Sequence, residues 1–110
     1  MDTYEVIISP EAKKQLSEYV RYIRCSLLND VAAHSVYNDA IETGKRLSLV
    51  AGSLAYCKDK RLRSNGYRAI YFKSHQYVMI YRTVGQIVYV DGIFHLRQDY
   101  ENLFATNQNL

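Results

Sequence analysis

The feature that most constrains the fold is a row of three apolar, tyrosine-rich segments in the second half of the chain. Residues 67–72 (YRAIYF), 76–82 (QYVMIYR) and 86–94 (QIVYVDGIF) each have the composition of a β-strand. Only short turn sequences, at Ser74–His75 and Val84–Gly85, separate them. Connections this short can join antiparallel strands but not parallel ones, so the sequence predicts a three-stranded antiparallel meander.

The amino-terminal half begins with a strand signal that leads into a helix signal. Residues 4–9 alternate apolar and polar side chains before a pair of isoleucines, which favours a short, partly buried strand. Ser9 can cap a helix with its hydroxyl, and Pro10 suits the first helical position because its missing N–H needs no partner there. Apolar side chains then recur at helical spacing as far as Leu27, which predicts an amphipathic helix.

A second helix follows after a very short connection. Asn29 or Asp30 can cap it, the same apolar period continues, and Gly52 ends it. Two helices joined so closely are expected to lie antiparallel as a hairpin. The element order therefore predicts an α+β fold, β-α-α-β-β-β, with the helical hairpin packed on one face of a four-stranded, mainly antiparallel sheet.

A chain of 110 residues has the usual size of one domain, so we expect residues 1–110 to form a single domain. Residues 99–104 can add a short last helix, whereas residues 105–110 are polar enough to predict a frayed tail. No segment approaches the roughly 20 apolar residues of a membrane span. The first five residues are acidic where a signal peptide would be basic, so we expect a cytoplasmic protein with no membrane partner.

Metal and cofactor chemistry find no support in the sequence. Cys25 and Cys57 lack metal-ligand spacing, and so do His34 and His75. No P-loop, GxGxxG, GxSxG or CxxC motif occurs. We expect no metal, no cofactor and two reduced structural thiols, while a disulfide between the cysteines stays open as an alternative.

Basic residues are concentrated in one part of the chain, although the formal charge is only +3. Residues 58–82 contain seven basic residues against Asp59 alone. Such a patch can neutralise phosphates or meet an acidic partner protein, and the plain alternative is a solvated loop. The candidate target-binding residues are Lys58, Lys60, Arg61, Arg63 and Arg82.

A second polar cluster closes the last predicted strand. His95, Arg97, Asp99 and Tyr100 lie within six residues and offer an acid or base, an anion clamp and a phenol. His95 with Arg68, Arg82 or Arg97 could supply the base, the cation and the acid that ribonuclease chemistry requires. The alternative is a structural corner in which Arg97 pairs with Asp99.

The element order, the strand YVMIYR (77–82) and the ending IFHLRQDYENLF (93–104) resemble the RelE/ParE superfamily of toxins from type II toxin–antitoxin operons. The resemblance covers residues 4–104. It implies a small cytoplasmic bacterial toxin that a cognate antitoxin neutralises by wrapping an extended or helical segment around it. RelE-like members cleave messenger RNA in the ribosomal A site with strand Lys and Arg side chains, whereas ParE-like members inhibit DNA gyrase.

Two registers of this resemblance compete. In one, segment 62–68 matches a RelE-type segment and Arg68 would be the catalytic strand arginine, but one strand too many then follows it. In the other, strands counted back from the end place Val78 at the catalytic arginine, and an alkyl group cannot clamp a phosphate. Arg68 then falls where RelE-like toxins have a strand lysine, and Arg97 falls near their C-terminal arginine. The His-x-Arg-x-Asp ending is more similar to ParE-like sequences.

The favoured hypothesis is therefore a ParE-like toxin that inhibits DNA gyrase through protein contact. In the enzyme alternative, a metal-independent, ribosome-dependent mRNA endonuclease, Arg68 and Arg97 would stabilise the phosphate, while His95 or Tyr100 would transfer protons. The basic residues of segment 58–63 would then hold RNA. A third alternative is an inactive module that only binds an antitoxin.

Overall fold

The computed structural model describes residues 3–110 and contains one four-stranded mixed sheet. Its strands are β1 (Glu5–Ile8), β2 (Arg68–Tyr71), β3 (Tyr77–Val84) and β4 (Ile87–His95). They lie in the order β1-β4-β3-β2, with β1 parallel to β4 and both other pairs antiparallel. The predicted meander and the mainly antiparallel sheet are thus confirmed.

Four α-helices accompany the sheet, and none in residues 3–110 has the length and apolar character that crossing a bilayer requires. They are α1 (Pro10–Arg21), α2 (Asp30–Val50), α3 (Lys60–Ser64) and α4 (Tyr100–Asn107). A π-helical turn, Tyr22–Ser26, continues α1, and a 3-10 turn, Ala51–Ser53, continues α2. The predicted caps are present, since Ser9 Oγ accepts from Ala12 N at 3.1 Å and Asn29 Oδ1 accepts from Ala32 N at 3.0 Å.

Both faces of the sheet are covered. Helices α1 and α2 pack on the face that presents Met79 and Tyr81, as the sequence predicts. The opposite face, which presents Val78 and Ile80, is covered by α3 and α4. We call the apolar side chains buried under α1 and α2 the first cluster, and those buried under α3 and α4 the second cluster. Because strand side chains alternate between faces, burial on both sides leaves Tyr77–Tyr81 of β3 entirely buried.

Helix α3 is a correction to the sequence analysis, which treats residues 58–63 as a loop. Asp59 Oδ1 accepts from Arg61 N at 2.9 Å and caps the helix, while Leu62 is fully buried in the second cluster. This charged segment therefore forms a short helix, because the Asp59 cap and the buried Leu62 suffice to stabilise a single turn.

The carboxyl-terminal segment also differs from the expected frayed tail. Helix α4 extends to Asn107, Ala105 is fully buried, and Leu110 N donates to Ala105 O at 2.9 Å. The apolar pair Phe104 and Ala105 anchors this helix on the sheet, and the polar residues that follow continue its final turns.

Helix α4 packs closely because β4 carries a bulge and a glycine beneath it. Ile80 lies opposite Gly92 and Tyr81 opposite Val90, which leaves Asp91 as the extra residue on β4. A Cβ added at Gly92 would lie 2.7 Å from the Phe94 ring and 3.1 Å from the Phe104 ring. Only glycine allows these two rings to cover the bulge.

We predict that Gly92→Ala lowers the free energy of unfolding by about 1–3 kcal/mol, because the added methyl group must displace packed rings. Gly44→Ala is the matched control, since no atom lies within 4 Å of its added Cβ. In the interior of α2 it should leave stability unchanged or raise it by up to about 1 kcal/mol. Urea unfolding measures the free energy of unfolding of both variants. Equal values for Gly92→Ala and Gly44→Ala would contradict the packing argument.

Candidate target-binding site

Arg68, proposed from the sequence as a catalytic cation, holds the end of α2. Its Nη1 donates to the carbonyl oxygens of Ala51 at 3.3 Å and Leu54 at 3.0 Å. Its Nη2 donates to Tyr56 Oη at 2.7 Å, and its guanidinium lies 4.1 Å from the centre of the Tyr56 ring. A cation at the carboxyl end of a helix satisfies carbonyls that have no helical partner. Its donors are therefore engaged in the fold.

Arg82 is also engaged. Its Nε donates to Asp91 Oδ2 at 2.9 Å, and its guanidinium lies 4.6 Å from the centre of the Tyr89 ring. Tyr67 Oη donates to the same carboxylate oxygen at 3.3 Å. The bulged residue Asp91 thus neutralises Arg82 at a half-buried position.

Arg61 joins α3 to α4. Its Nε and Nη2 donate to the two carboxylate oxygens of Asp59 at 3.1 and 2.8 Å, and Nη2 also donates to Asn102 Oδ1 at 2.9 Å. These bonds from Arg61 lower the pKa of Asp59 to about 2, so its carboxylate stays ionised over the physiological range. The charge of Arg61 is therefore matched locally.

The three other basic residues of segment 58–63 have solvent-exposed side chains. Lys58, Lys60 and Arg63 are exposed, and within residues 3–110 none of them lies in a salt bridge. Arg63 only reaches the carbonyl oxygen of Lys58, at 3.5 Å. We call Lys58, Lys60 and Arg63 the basic face.

The turn after β4 is built around His95 and a glutamine that the sequence analysis did not single out. The His95 ring packs edge-on against Tyr77 at 5.0 Å, and its Nδ1 accepts from Arg97 N at 3.0 Å. Gln98 Oε1 accepts from His95 N at 3.0 Å and from Tyr19 Oη at 2.8 Å, which fixes the turn against α1. Arg97 itself is exposed.

The structural corner expected as the alternative is not formed by an ion pair. Among the described residues, Arg97 and Asp99 form no salt bridge, and both are exposed. Arg97 is thus a cation available for contact, held on a turn whose backbone is well anchored.

Tyr100 lies on the other face of the sheet from His95. Its hydroxyl is 3.1 Å from that of Tyr71, and burial together with this bond raises its pKa above the usual range. Tyr100 packs against the second cluster, whereas His95 contacts Tyr77 of the first.

The four candidate catalytic residues are not gathered around one point. Arg68 on β2 pairs with Tyr81 of β3, and His95 on β4 pairs with Tyr77 of β3. These two positions of β3 are four residues apart, which corresponds to roughly 13 Å along the strand. Only His95 and Arg97 are direct neighbours.

A buried carboxylate that the sequence analysis missed anchors the β2–β3 turn. Asp39, on α2, is 7% exposed, and its Oδ2 accepts from Ser74 N at 2.9 Å. The same oxygen lies 2.7 Å from His75 Nδ1, and His75 Nε2 is 3.3 Å from Ser35 Oγ. The signal available in the sequence was an aspartate among the apolar positions of α2.

The cysteines and the acidic and histidine residues within residues 3–110 are not grouped as a metal site. Burial raises the pKa of the Cys57 thiol to about 12, which keeps it protonated. Cys25 and Cys57 are both free thiols. Within residues 3–110, no group of three or more potential ligands is placed to hold a metal ion.

An open apolar groove runs between α1 and α2. Its volume is about 610 Å³, and its floor is formed by the sheet. The apolar side chains that line it include Val6, Ile8, Ile41, Met79 and Ile93. Exposed side chains of α1 and α2, such as Ile41, border this groove.

Comparison with known proteins gives a family and a fold. The family model for the ParE toxin of the type II toxin–antitoxin system, parDE, matches residues 6–100. A solved structure described as a chromosomal ParDE TA system from P. aeruginosa superposes with a TM-score of 0.71 at 17% sequence identity, covering 86% of this chain and 97% of that chain. At this identity the likeness concerns the fold alone. No curated protein matches the chain.

We predict that Arg68→Ala lowers the free energy of unfolding by roughly 2–3 kcal/mol, because three acceptors at the end of α2 lose a charged donor. The control Arg63→Ala removes an exposed arginine and should change stability by no more than about 0.5 kcal/mol. Thermal and urea unfolding give both values. A neutral Arg68→Ala would contradict the structural role assigned to this residue.

Proposed function

Because the chain belongs to the ParE toxin family of type II toxin–antitoxin systems, we propose that it arrests bacterial growth by binding DNA gyrase in the cytoplasm. The observation that carries the choice of target is the separation of the candidate catalytic groups. RNA cleavage needs a base, an acid and a cation around one phosphate. Here Arg68 is held at the end of α2, and His95 and Tyr100 lie on opposite faces of the sheet. This arrangement favours inhibition by contact.

The residues proposed for target contact are the basic face and Arg97. All four cations are exposed and free of carboxylates in the described part of the chain, whereas Arg61 and Arg82 are each matched by an aspartate. Unmatched surface cations steer an acidic partner and set its orientation. Of the basic residues predicted from the sequence, we therefore retain Lys58, Lys60 and Arg63 for binding and assign Arg61 and Arg82 to the fold.

We further propose that a cognate antitoxin occupies the groove between α1 and α2. The family pairs the toxin with an antitoxin, and the groove between α1 and α2 presents apolar side chains, among them the partly exposed Ile41. An amphipathic helix can lay its apolar side into such a groove. The bound segment would lie on the face of the sheet that α1 and α2 cover, opposite the face covered by α3.

The second candidate function is the ribosome-dependent endonuclease, since His95 and the exposed Arg97 lie on one turn, where the backbone N of Arg97 donates to His95 Nδ1. Inducing the protein in cells and in translating extract separates the hypotheses. Growth arrest with an SOS response and loss of supercoiling supports gyrase inhibition. Cleavage of messenger RNA in the extract supports the endonuclease and overturns our proposal, and harmless expression supports an inactive antitoxin-binding module.

We predict that Arg97→Ala reduces growth arrest and gyrase inhibition roughly tenfold or more, because the exposed guanidinium sits on an anchored turn and bonds to no other side chain among residues 3–110. Lys14→Ala is the control, since it removes an equal charge from an exposed position of α1. Dose–response curves of supercoiling and growth measure both. Full toxicity of Arg97→Ala would remove this residue from the contact.

We predict that Ile41→Asp abolishes rescue by the antitoxin while toxicity persists, because a carboxylate in the apolar groove opposes burial of the partner segment. The partner for this assay is a short reading frame next to this one, if it encodes a DNA-binding amino-terminal region. Leu49→Asp makes the same kind of change on α2 outside the groove and should leave rescue intact. Rescue of Ile41→Asp equal to that of wild type would exclude the groove.

A further inference from the structure

The connection between α1 and α2 exposes a cluster of large apolar side chains. Tyr22 is 59% exposed, Leu27 56%, Leu28 85% and Val31 81%. We call these four residues the hairpin tip. Single exposed apolar residues are common on protein surfaces, but several within ten residues on one connection indicate a binding surface.

The backbone of the hairpin tip is unusual in two ways. Leu28 has a φ of +51°, a left-handed conformation that glycine or asparagine adopts with less strain than a bulky residue. Tyr22–Ser26 form a π-helical turn, closed by a bond from Leu27 N to Tyr22 O at 3.2 Å. Such turns are rare and occur frequently at functional sites. Folding alone would favour a polar or small residue at position 28, so its solvent-facing leucine points to binding.

The charges beside the hairpin tip indicate the chemistry of its partner. A hollow of about 410 Å³ between the two helices is bordered by Arg21, Arg24 and His34, and no carboxylate lines it. Arg24 only approaches the exposed Asp30 at 3.7 Å. This arrangement fits a protein surface with an apolar pocket and an acidic border. A second copy would oppose like charges, and the alkyl groups of the tip offer little to a nucleic acid.

We propose that the hairpin tip inserts into an apolar, acid-bordered pocket on the protein that the toxin inhibits. The inference rests on the proposed function and adds a second contact to it. Tyr19 Oη donates to Gln98 Oε1 at 2.8 Å, so the last turn of α1 lies against the turn that carries Arg97. The hairpin tip and Arg97 therefore approach the target from the same end of the molecule.

The test compares wild type with Leu28→Asn/Val31→Ser, which removes both alkyl groups and gives position 28 a residue suited to its backbone. The control Leu49→Asn/Val84→Ser makes the same changes at exposed positions elsewhere, 62% and 54% exposed. Affinity for purified bacterial DNA gyrase, growth arrest on induction and thermal unfolding are measured for all three proteins. We expect the tip variant to lose roughly tenfold or more in affinity and to arrest growth weakly, with an unchanged or raised melting temperature. The control should match wild type.

The outcomes separate the two proposals. Undiminished growth arrest by the tip variant overturns the role of the hairpin tip, and so does loss of antitoxin rescue without loss of toxicity, since the tip would then belong to the antitoxin contact. If the wild type arrests growth without binding gyrase, the choice of target is overturned. If the tip variant then no longer arrests growth, the hairpin tip still contacts the target, which is a protein other than gyrase. A wild-type chain that neither binds gyrase nor arrests growth overturns both.

Discussion

The carbonyl oxygen of Ala51 is the point at which the helical hairpin is fixed over the sheet. It accepts from Tyr81 Oη at 2.8 Å and from Arg68 Nη1 at 3.3 Å, and these donors come from the two adjacent strands β3 and β2. Buried carbonyls without partners are costly, so this end of α2 has one favourable position. Tyr19 and Asp39 fix the other parts of the helical hairpin through their bonds to Gln98 and Ser74.

This anchoring explains why the basic residues divide into two groups. A cation within reach of helix-end carbonyls or a fixed carboxylate becomes part of the fold, as Arg68 and Arg82 do. Lys58 and Lys60 lie on an exposed helix start without such a partner, and Arg97 lies on an exposed turn. Basic side chains that look alike in the sequence therefore have different roles, some in holding the fold and some available for contact. Only their neighbours in the folded structure distinguish the two groups.

Local patterns predicted the elements well because the relevant physics is local. Short turns fix hairpins, and Ser9 and Asn29 cap the helices where expected. The match of the family model likewise confirms the resemblance drawn from the last strands. Helix α3 was missed because its charged residues outweigh a single apolar anchor, Leu62. Contacts such as Arg61 with Asn102 and Asp39 with His75 join residues far apart in sequence and leave no local pattern.

The parallel pairing of β1 with β4 makes folding depend on the order in which the strands are synthesised. Glu5 lies opposite Ile87 and Ile8 opposite Val90, so the first strand must wait for the last. Pairings between such distant segments form slowly, because a long loop must close before any contact rewards it. On the ribosome, the nascent chain therefore cannot complete its sheet until β4 has been made. Strand β1 and the two long helices are synthesised before the strand edge with which β1 pairs exists, so the fold is reached only after β4 joins.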